Sequence, residues 1–243
     1  MITKDQIREL SLRFQIDAFT VFREYLQLVF LSYLYQEKEA GRIFFKGGTA
    51  LRLLFGSPRF SEDLDFSTAY SDKEITGLLA KLEAKIVREL PGLKIIPVYS
   101  GTEGVRFGIT FTSPGFKYPL TIRLDFHKTG NIKNTQASTL TTPFPVMIFP
   151  QVFHLTGDEI LKEKLTALQT RRKGRDIFDV WFLLPKGTKL PKVGYNRDKV
   201  IQRIVDFPER ELNRDLGKFL PKNQKIIIPH LKQETIKLLQ ASE

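Results

Sequence analysis

A short apolar segment that runs into a Gly-Gly-Thr turn constrains the fold of this chain most. Ile43–Phe45 has the character of a buried strand, Lys46-Gly47-Gly48-Thr49 follows it, and Ala50–Phe55 begins like a helix. A helix that starts directly after a glycine turn offers backbone N–H groups and the positive end of its dipole to an anion. The segment therefore predicts a strand, a phosphate-binding turn and a helix. A Gly-Gly pair by itself is more often only a turn, so the prediction depends on the residues that follow.

Two aspartates lie on the next candidate strand, and 13 residues separate the first of them from Thr49. Asp63 and Asp65 flank Leu64, and Phe66 follows them. Alternate residues of a strand share a face, so both carboxylates point one way while Leu64 and Phe66 point into a core. Neighbouring carboxylates repel each other, and a divalent cation between them removes that cost. The alternative for an isolated Asp-x-Asp pattern is a solvated pair or a helix cap.

A third carboxylate, Asp125, lies in an apolar strand further along the chain. Ile122, Leu124 and Phe126 would face a core, which leaves Arg123 and Asp125 on the opposite face. Beside the first pair, Asp125 could bind a second metal ion and take the proton from an attacking hydroxyl. A plain salt bridge is the alternative. Together the three carboxylates predict a site for Mg²⁺ or Mn²⁺ that acts on a nucleoside triphosphate.

The charge of the chain suggests a polyanionic partner. Its 243 residues include 38 Lys and Arg against 27 Asp and Glu, and residues 131–243 hold 20 of the basic and 12 of the acidic side chains. A basic surface favours RNA, DNA or nucleotides. The alternative is that these residues form a solvated surface that keeps the protein soluble. The absence of cysteine excludes thiol catalysis, disulfides and zinc–thiolate sites.

The order of the predicted elements suggests two domains in a cytoplasmic protein without a membrane segment. A helix over Phe14–Glu37, ended by Gly41, and a strand-rich α/β segment come first; the irregular residues 129–142 resemble a linker. We therefore expect an α/β domain over 1–142 and a mainly helical, basic region over 143–243. The candidate strands are Ile43–Phe45, Leu64–Phe66, Lys94–Tyr99, Val105–Thr112 and Leu120–Phe126, and the further helices are Asp72–Glu89, Asp158–Thr170, Arg175–Leu184, Asn196–Asp206, Pro208–Phe219 and Pro229–Leu239.

Two separated blocks resemble a known family. Lys46–Leu51 with Arg59–Phe66, and Glu163–Leu168 with Arg171–Asp179, are similar to the AbiEii/AbiGii toxins of type IV toxin–antitoxin systems, within the polymerase-beta-like nucleotidyltransferase superfamily. The resemblance implies an α/β (α+β) fold: a mixed-sheet nucleotidyltransferase core with an N-terminal helix and a C-terminal helical region that completes the nucleotide pocket. It also implies Mg²⁺-dependent transfer of a nucleoside monophosphate from an NTP to an acceptor hydroxyl. The implied acceptor is RNA, with tRNA as one candidate, and the implied protein partner is a cognate antitoxin.

The resemblance also implies a role for each matching residue. Asp63 and Asp65 would bind metal, Asp125 would complete the metal site or act as the base, and Lys164 would contact a phosphate. The residues implied at the nucleotide are Gly47, Gly48, Thr49, Ser61, Lys164, Asp176 and Asp179. Lys162 is an alternative to Lys164, because Thr166 lies four positions after it as the family pattern requires. A salt bridge from Lys164 or Arg175 to the two aspartates is a structural alternative that is compatible with the same role.

Two other functions are open at this level. The chain could be a nucleotide-binding regulatory module with little turnover, or a phosphotransferase that moves a γ-phosphoryl group to a protein partner. The presence of all three carboxylates argues against a decayed enzyme.

Overall fold

The computed structural model describes residues 1–112 and 119–241, and the chain folds into two compact units. The first unit comprises Met1–Gly56 and Phe60–Leu155, and the second comprises Ser57–Arg59 and Thr156–Glu243. In chain order, the first unit contains α1 (Lys4–Phe14), α2 (Ala18–Leu34), a 3₁₀ turn (Lys38–Arg42), β1 (Ile43–Lys46), α3 (Gly47–Phe55), β2 (Leu64–Thr68), α4 (Asp72–Ile86), β3 (Leu93–Gly101), β4 (Gly104–Phe111), β5 (Leu120–Lys128), β6 (Thr135–Thr139) and β7 (Gln151–Leu155).

Within the described residues, the seven strands of the first unit form one mixed sheet in the order β3-β4-β5-β2-β1-β7-β6. The pairs β2–β5 and β1–β7 are parallel, and the other neighbouring strands are antiparallel. Phe66 stacks on Phe126 with ring centroids 4.9 Å apart, and Phe45 lies 5.4 Å from Phe66. The predicted alternation on these strands is confirmed, because their apolar side chains form the core.

The helix predicted over Phe14–Glu37 corresponds to the shorter helix α2, Ala18–Leu34, and a separate helix, α1, precedes it. Thr3 and Gln6 form a capping box that begins α1, and α1 ends where Gln15 takes the left-handed conformation at φ +54°. Asp17 then begins α2 by accepting a hydrogen bond from the backbone N–H of Thr20 at 2.9 Å. The helix end predicted at Gly41 was also wrong, because α2 ends at Leu34 and Gly41 lies inside the 3₁₀ turn.

The segment predicted as a linker contributes a strand to the sheet. β6 lies within residues 129–142 and pairs with β7, and β7 pairs in parallel with β1. His154 on β7 contacts β6, since its Nε2 lies 2.9 Å from the Ser138 hydroxyl. Its Nδ1 lies 2.8 Å from the carbonyl oxygen of Leu155 on its own strand. The first unit extends to Leu155, so the compact units divide at 155/156, whereas the sequence placed the boundary at 142/143.

The second unit is helical, as the sequence predicted. It contains α5 (Gly157–Thr170), α6 (Gly174–Leu183), α7 (Arg197–Val205), α8 (Glu209–Gly217) and α9 (Leu231–Ala241), with 3₁₀ turns at Leu184–Lys186 and Lys222–Ile227. α6 packs against α5, α8 and α9. Trp181 supports this packing, because its Nε1–H donates to Glu234 at 2.9 Å. None of the helices in the described parts of the chain has the length and apolarity needed to cross a membrane.

Candidate active site

Three carboxylates of the first unit lie at one place on the sheet. Asp65 on β2 and Asp125 on β5 are direct partners across two parallel strands, and Asp63 immediately precedes β2. Leu64 and Phe66 are buried in the core, so the aspartates between and beside them point away from it. The side chain of Asp125 is 9% exposed. The structure thus brings together the aspartates that the sequence singled out.

Two arginines pair with Asp63 and Asp125 of this group. Arg123 pairs with Asp63 and also lies 2.8 Å from Asp125, which it contacts through its Nε. Arg106, opposite Asp125 on the neighbouring antiparallel strand β4, donates to its other carboxylate oxygen at 2.5 Å. The hydrogen bond to Asp125 raises the pKa of Arg106. Asp125 is therefore held between two guanidinium groups.

The donor chemistry fits a divalent cation, because carboxylate oxygens are the hard ligands that Mg²⁺ prefers. In the parts of the chain that the structure describes, however, no three Asp, Glu, His or Cys side chains converge closely enough to hold an ion. Arg123, which contacts both Asp63 and Asp125, already supplies a positive charge between them. A metal ion at Asp63 or Asp125 would therefore compete with Arg123 for the carboxylate oxygens.

The glycine turn lies against the same carboxylates. Lys46 is the strand partner of Asp65, and Gly47 begins α3 with φ +78°. A Cβ atom on Gly47 would lie 2.3 Å from Oδ2 of Asp65. No side-chain hydrogen bond from the described residues caps α3. The first N–H groups of this helix, on Gly47 and Gly48, therefore begin next to the carboxylates and suit an anionic group.

Hydrogen bonds at Thr49 and Ser61 fix the backbone that leads into β2. Thr49 is 1% exposed, and its hydroxyl donates to the backbone carbonyl of Asp63. The Nε2 of Gln27 donates to the carbonyls of Ser61 and Glu62 at 3.1 Å each. The hydroxyl of Thr49 thus fixes the backbone that carries Asp63, and its contact with the triphosphate stays a prediction.

The other predicted residues form a separate buried cluster within the second unit. Lys164 on α5 lies 3.1 Å from Asp176 and 2.8 Å from Asp179, both on α6. Arg59 donates to both carboxylate oxygens of Asp179 at 2.8 and 2.9 Å. Arg171 forms two hydrogen bonds of 2.8 Å with Asp176. The salt bridge considered from the sequence is present, and Lys164 makes it with both aspartates.

Burial and charge oppose each other in this cluster. Burial alone would lower the pKa of Lys164, but Asp179 and Asp176 outweigh it and raise that pKa. Burial would likewise raise the pKa of Asp176, yet Lys164 and Arg171 lower it to about 2. Lys164 and Asp176 are therefore both charged at neutral pH. Lys162, the alternative to Lys164, is exposed and pairs at 2.9 Å with Glu159 on its own helix.

Three charged residues at these clusters were not assigned a role from the sequence. Arg123 was placed on the face of Asp125, and the alternation along its strand could have suggested their contact. Arg106 depends on the register between β4 and β5, and Arg59 depends on a contact 120 residues away in sequence. No local pattern in the sequence reveals either of these long-range contacts.

Comparisons with known proteins identify the family and the fold of this chain. The family model described as nucleotidyl transferase AbiEii toxin, type IV TA system, matches residues 29–237. JHP933 from Helicobacter pylori is similar in structure, with a TM-score of 0.59 at 22% identity over 93% of this chain and 92% of that one. MenT4, a nucleotidyltransferase toxin from Mycobacterium tuberculosis H37Rv, gives a TM-score of 0.60 at 14% identity over 100% and 91% of the two chains. No curated protein sequence matches. The likeness to the solved structures concerns the fold. Because the family match covers most of the chain, the chain belongs to the AbiEii nucleotidyltransferase toxins of type IV toxin–antitoxin systems.

Proposed function

We propose that this chain transfers a nucleoside monophosphate from an NTP to an acceptor hydroxyl on RNA, such as the end of a tRNA, and releases pyrophosphate. The proposal includes a requirement for Mg²⁺ or Mn²⁺. The observation that carries it is the pairing of Asp65 with Asp125 beside the glycine turn that begins α3. Carboxylates for a metal and helix N–H groups for phosphates are the two components that nucleotidyl transfer needs.

The glycine turn is the proposed site for the triphosphate. Gly47 has no Cβ, so the carboxylate of Asp65 can lie directly against the start of α3, which brings the proposed metal ligands next to the first N–H groups of the helix. The N–H groups of Gly47 and Gly48 would donate to phosphate oxygens, and the α3 dipole adds a favourable field. We keep Lys164 as a proposed phosphate contact and Asp176 and Asp179 as proposed nucleotide-pocket residues, since these two carboxylates hold its amine in the charged form.

In the proposed reaction, the acceptor oxygen attacks the α-phosphorus of the NTP. The bond from the α-phosphorus to the oxygen bridging the β-phosphate breaks, and pyrophosphate leaves. Asp125 accepts the proton of the acceptor hydroxyl, and Arg106 orients its carboxylate through the 2.5 Å contact. Mg²⁺ bound to Asp63, Asp65 and Asp125 would supply Lewis-acid stabilisation of the phosphates. Thr49 keeps Asp63 in position by donating to its backbone carbonyl.

Membership in this family supports two further parts of the proposal. A toxin of a type IV toxin–antitoxin system implies a cognate antitoxin, so we propose that such a protein is the regulatory partner of this chain. We also propose that the protein acts in the cytoplasm, where NTPs and RNA are both present.

The test is incubation of the protein with each α-³²P-NTP, Mg²⁺ and total bacterial RNA. We expect label on an RNA band, and we expect Asp65→Asn to lower the yield by roughly a hundredfold or more, because metal stabilisation of the transferred group contributes several kcal/mol. Asp5→Asn is the matched control, since Asp5 is an exposed residue of α1. Repeating the reaction with Mn²⁺, and with a chelator, tests the metal requirement.

Other outcomes of this experiment favour the alternative functions. Transfer of label from γ-³²P-NTP to a protein would identify a phosphotransferase. Metal-dependent NTP binding without transfer of either label would identify a regulatory module. Either result would contradict the proposed reaction.

A further inference from the structure

A pocket lined by three arginines lies within the second unit, outside the residues assigned so far to nucleotide or metal binding. It is formed near the C-terminal ends of α5 and α7 and by the residues after α5. The lining residues are Leu168, Arg171, Arg172, Arg203, Asp206 and Phe207. The pocket thus joins the Arg171-Arg172-Lys173 run with an arginine that lies 31 positions beyond Arg172 in the sequence.

The walls of this arginine pocket are charged and its floor is apolar. Leu168 and Phe207 are each 3% exposed, so they form the floor. The side chains of Arg171 and Arg172 are 56% and 51% exposed, and Arg203 is also exposed. Asp206 contributes a carboxylate, which accepts two hydrogen bonds from the side-chain amide of Gln202. The lining therefore carries three positive charges against one negative charge.

Backbone carbonyls hold two of the guanidinium groups in place. Nη2 of Arg203 donates to the carbonyl of Gln169 at 3.2 Å, and Nη2 of Arg172 donates to the carbonyl of Asp206 at 3.2 Å. Nε of Arg172 lies 3.5 Å from Glu211. Because a guanidinium group has five N–H donors, these contacts fix its plane and leave donor capacity for phosphate oxygens. Arginine is also the side chain whose planar fork matches a phosphate in two-point contact.

We propose that the arginine pocket binds the phosphodiester backbone of the RNA acceptor, an inference that rests on the function proposed above. Phe207, the aromatic residue of the lining, is buried and offers no face on which a base could stack. The contact is therefore with phosphate groups, and it contributes affinity without regard to base sequence. Residues 131–243, which include the pocket, have the larger share of the positive charge of the chain.

Arg171 links the pocket to the buried cluster of Lys164. Oδ1 of Asp176 accepts hydrogen bonds from Arg171 at 2.8 Å and from Lys164 at 3.1 Å. A phosphate group that attracts Arg171 therefore weakens one of the contacts that hold Asp176 beside Lys164. Backbone binding at the arginine pocket and the electrostatics of Lys164 are coupled through this one carboxylate.

The test measures RNA binding by the full chain without turnover. Fluorescence anisotropy with two short single-stranded RNAs of unrelated sequence gives the affinity at several salt concentrations. We expect Arg203→Gln and Arg172→Gln each to lower the affinity for both RNAs by roughly tenfold, as for loss of a hydrogen bond to a charged group. Each should also lower the slope of log affinity against log salt by about 0.7, the value for one phosphate contact on a single strand. Binding of an NTP should be unchanged.

The control is Arg8→Gln, which removes the same charge from an exposed position of α1. It should leave RNA affinity and the salt slope close to those of the unmodified protein. The inference is overturned if the unmodified protein binds neither RNA, or if both pocket variants match the control. Equal loss of NTP and RNA binding would also overturn it, because the pocket would then serve the free nucleotide. Label transfer with unaltered RNA affinity would refute this inference alone, and RNA binding without transfer would refute the proposed reaction alone.

Discussion

At Gly47 the backbone has φ +78°, and the carboxylate of Asp65 lies where a side chain would begin. A left-handed conformation costs a residue with a Cβ about 1–2 kcal/mol. The close contact with Asp65 has the larger effect on function, since a Cβ on Gly47 would lie 2.3 Å from Oδ2 of Asp65. Either the carboxylate or the start of α3 would have to move. The glycine therefore sets the spacing between the proposed phosphate site and the proposed metal site.

Gly47→Ala should abolish most of the nucleotidyl transfer while the protein stays folded. We expect activity to fall by about a hundredfold, the effect of a displacement near 1 Å at a reacting centre. Gly41→Ala is the matched control, because a Cβ on Gly41 would meet nothing within 4 Å. The measurement compares label transfer with the free energy of unfolding in urea for both variants. An active Gly47→Ala protein would show that the close approach to Asp65 has no part in the reaction.

Arg123 contacts two of the carboxylates proposed to hold the metal. Its side chain is 47% exposed, so it can leave them for solvent at modest cost. While it remains, its charge lowers the attraction of Asp63 and Asp125 for a cation. The local alternation of the strand placed Arg123 on this face, but the sequence did not reveal that it would compete for the carboxylates.

Arg123→Ala should tighten metal binding. We expect the affinity for Mn²⁺, measured by electron paramagnetic resonance in the absence of nucleotide, to rise by about fivefold, since a half-exposed ion pair is worth about 1 kcal/mol. Arg13→Ala, at an exposed position of α1, serves as the control for net charge. Unchanged or weaker Mn²⁺ binding in Arg123→Ala would contradict competition between the guanidinium group and the metal.

At the scale of elements, local patterns predicted most of the fold. The strands β1 to β5 and the helices α5 to α9 follow apolar periods of two or of three to four residues, because each has one face in a core. The predicted helix began too early, at Phe14, since apolar side chains continue across Gln15–Asp17 and only the caps mark the break between α1 and α2. β6 was missed because most of its residues are exposed, so it has no apolar alternation, and its assignment depends on pairing with β7.

The element α6 shows why the second cluster could be predicted only in part. Asp176 and Asp179 are three residues apart, so the sequence placed them on one helical face. The start of α6 is fixed by distant residues, since the N–H of Gly174 donates to Asp215 at 2.9 Å. α8 packs so closely against Gly174 that a Cβ on this residue would lie 2.9 Å from Cδ1 of Leu212. Contacts of this kind depend on the assembled unit and leave no local pattern.

At the scale of the whole molecule, the formal charge of +11 predicts that the folded protein is less stable at acid pH. As the pH falls, carboxylates become protonated, the positive charge grows, and self-repulsion increases. Most carboxylates of the chain contribute to this general effect. Asp176 adds a separable contribution, because Lys164 and Arg171 overcome the effect of burial and lower its pKa in the folded protein from the usual 3.8 to about 2.

The sign of this contribution follows from linkage between protonation and folding. The unfolded state binds a proton on Asp176 more readily than the folded state, so the stabilisation is fully present above the unfolded pKa of 3.8. It is lost as the pH falls through the folded pKa of about 2. Complete loss amounts to about 2 kcal/mol, at 1.36 kcal/mol per pKa unit. This loss is expected in addition to the general effect of charge.

Asp176→Asn should therefore make the free energy of unfolding less sensitive to acid. Between about pH 6 and about pH 2.5, urea unfolding of the unmodified protein should lose about 1.5 kcal/mol more than the variant loses. The variant should be less stable throughout, because Lys164 and Arg171 lose a shared partner. If the variant does not fold, a nuclear magnetic resonance titration of the Asp176 carboxyl in the unmodified protein tests the same point. If the free energies of unfolding of the two proteins fall in parallel with pH, the ion pairs of Asp176 do not hold its carboxylate charged. Titration of Asp176 at its usual pKa of 3.8 would show the same.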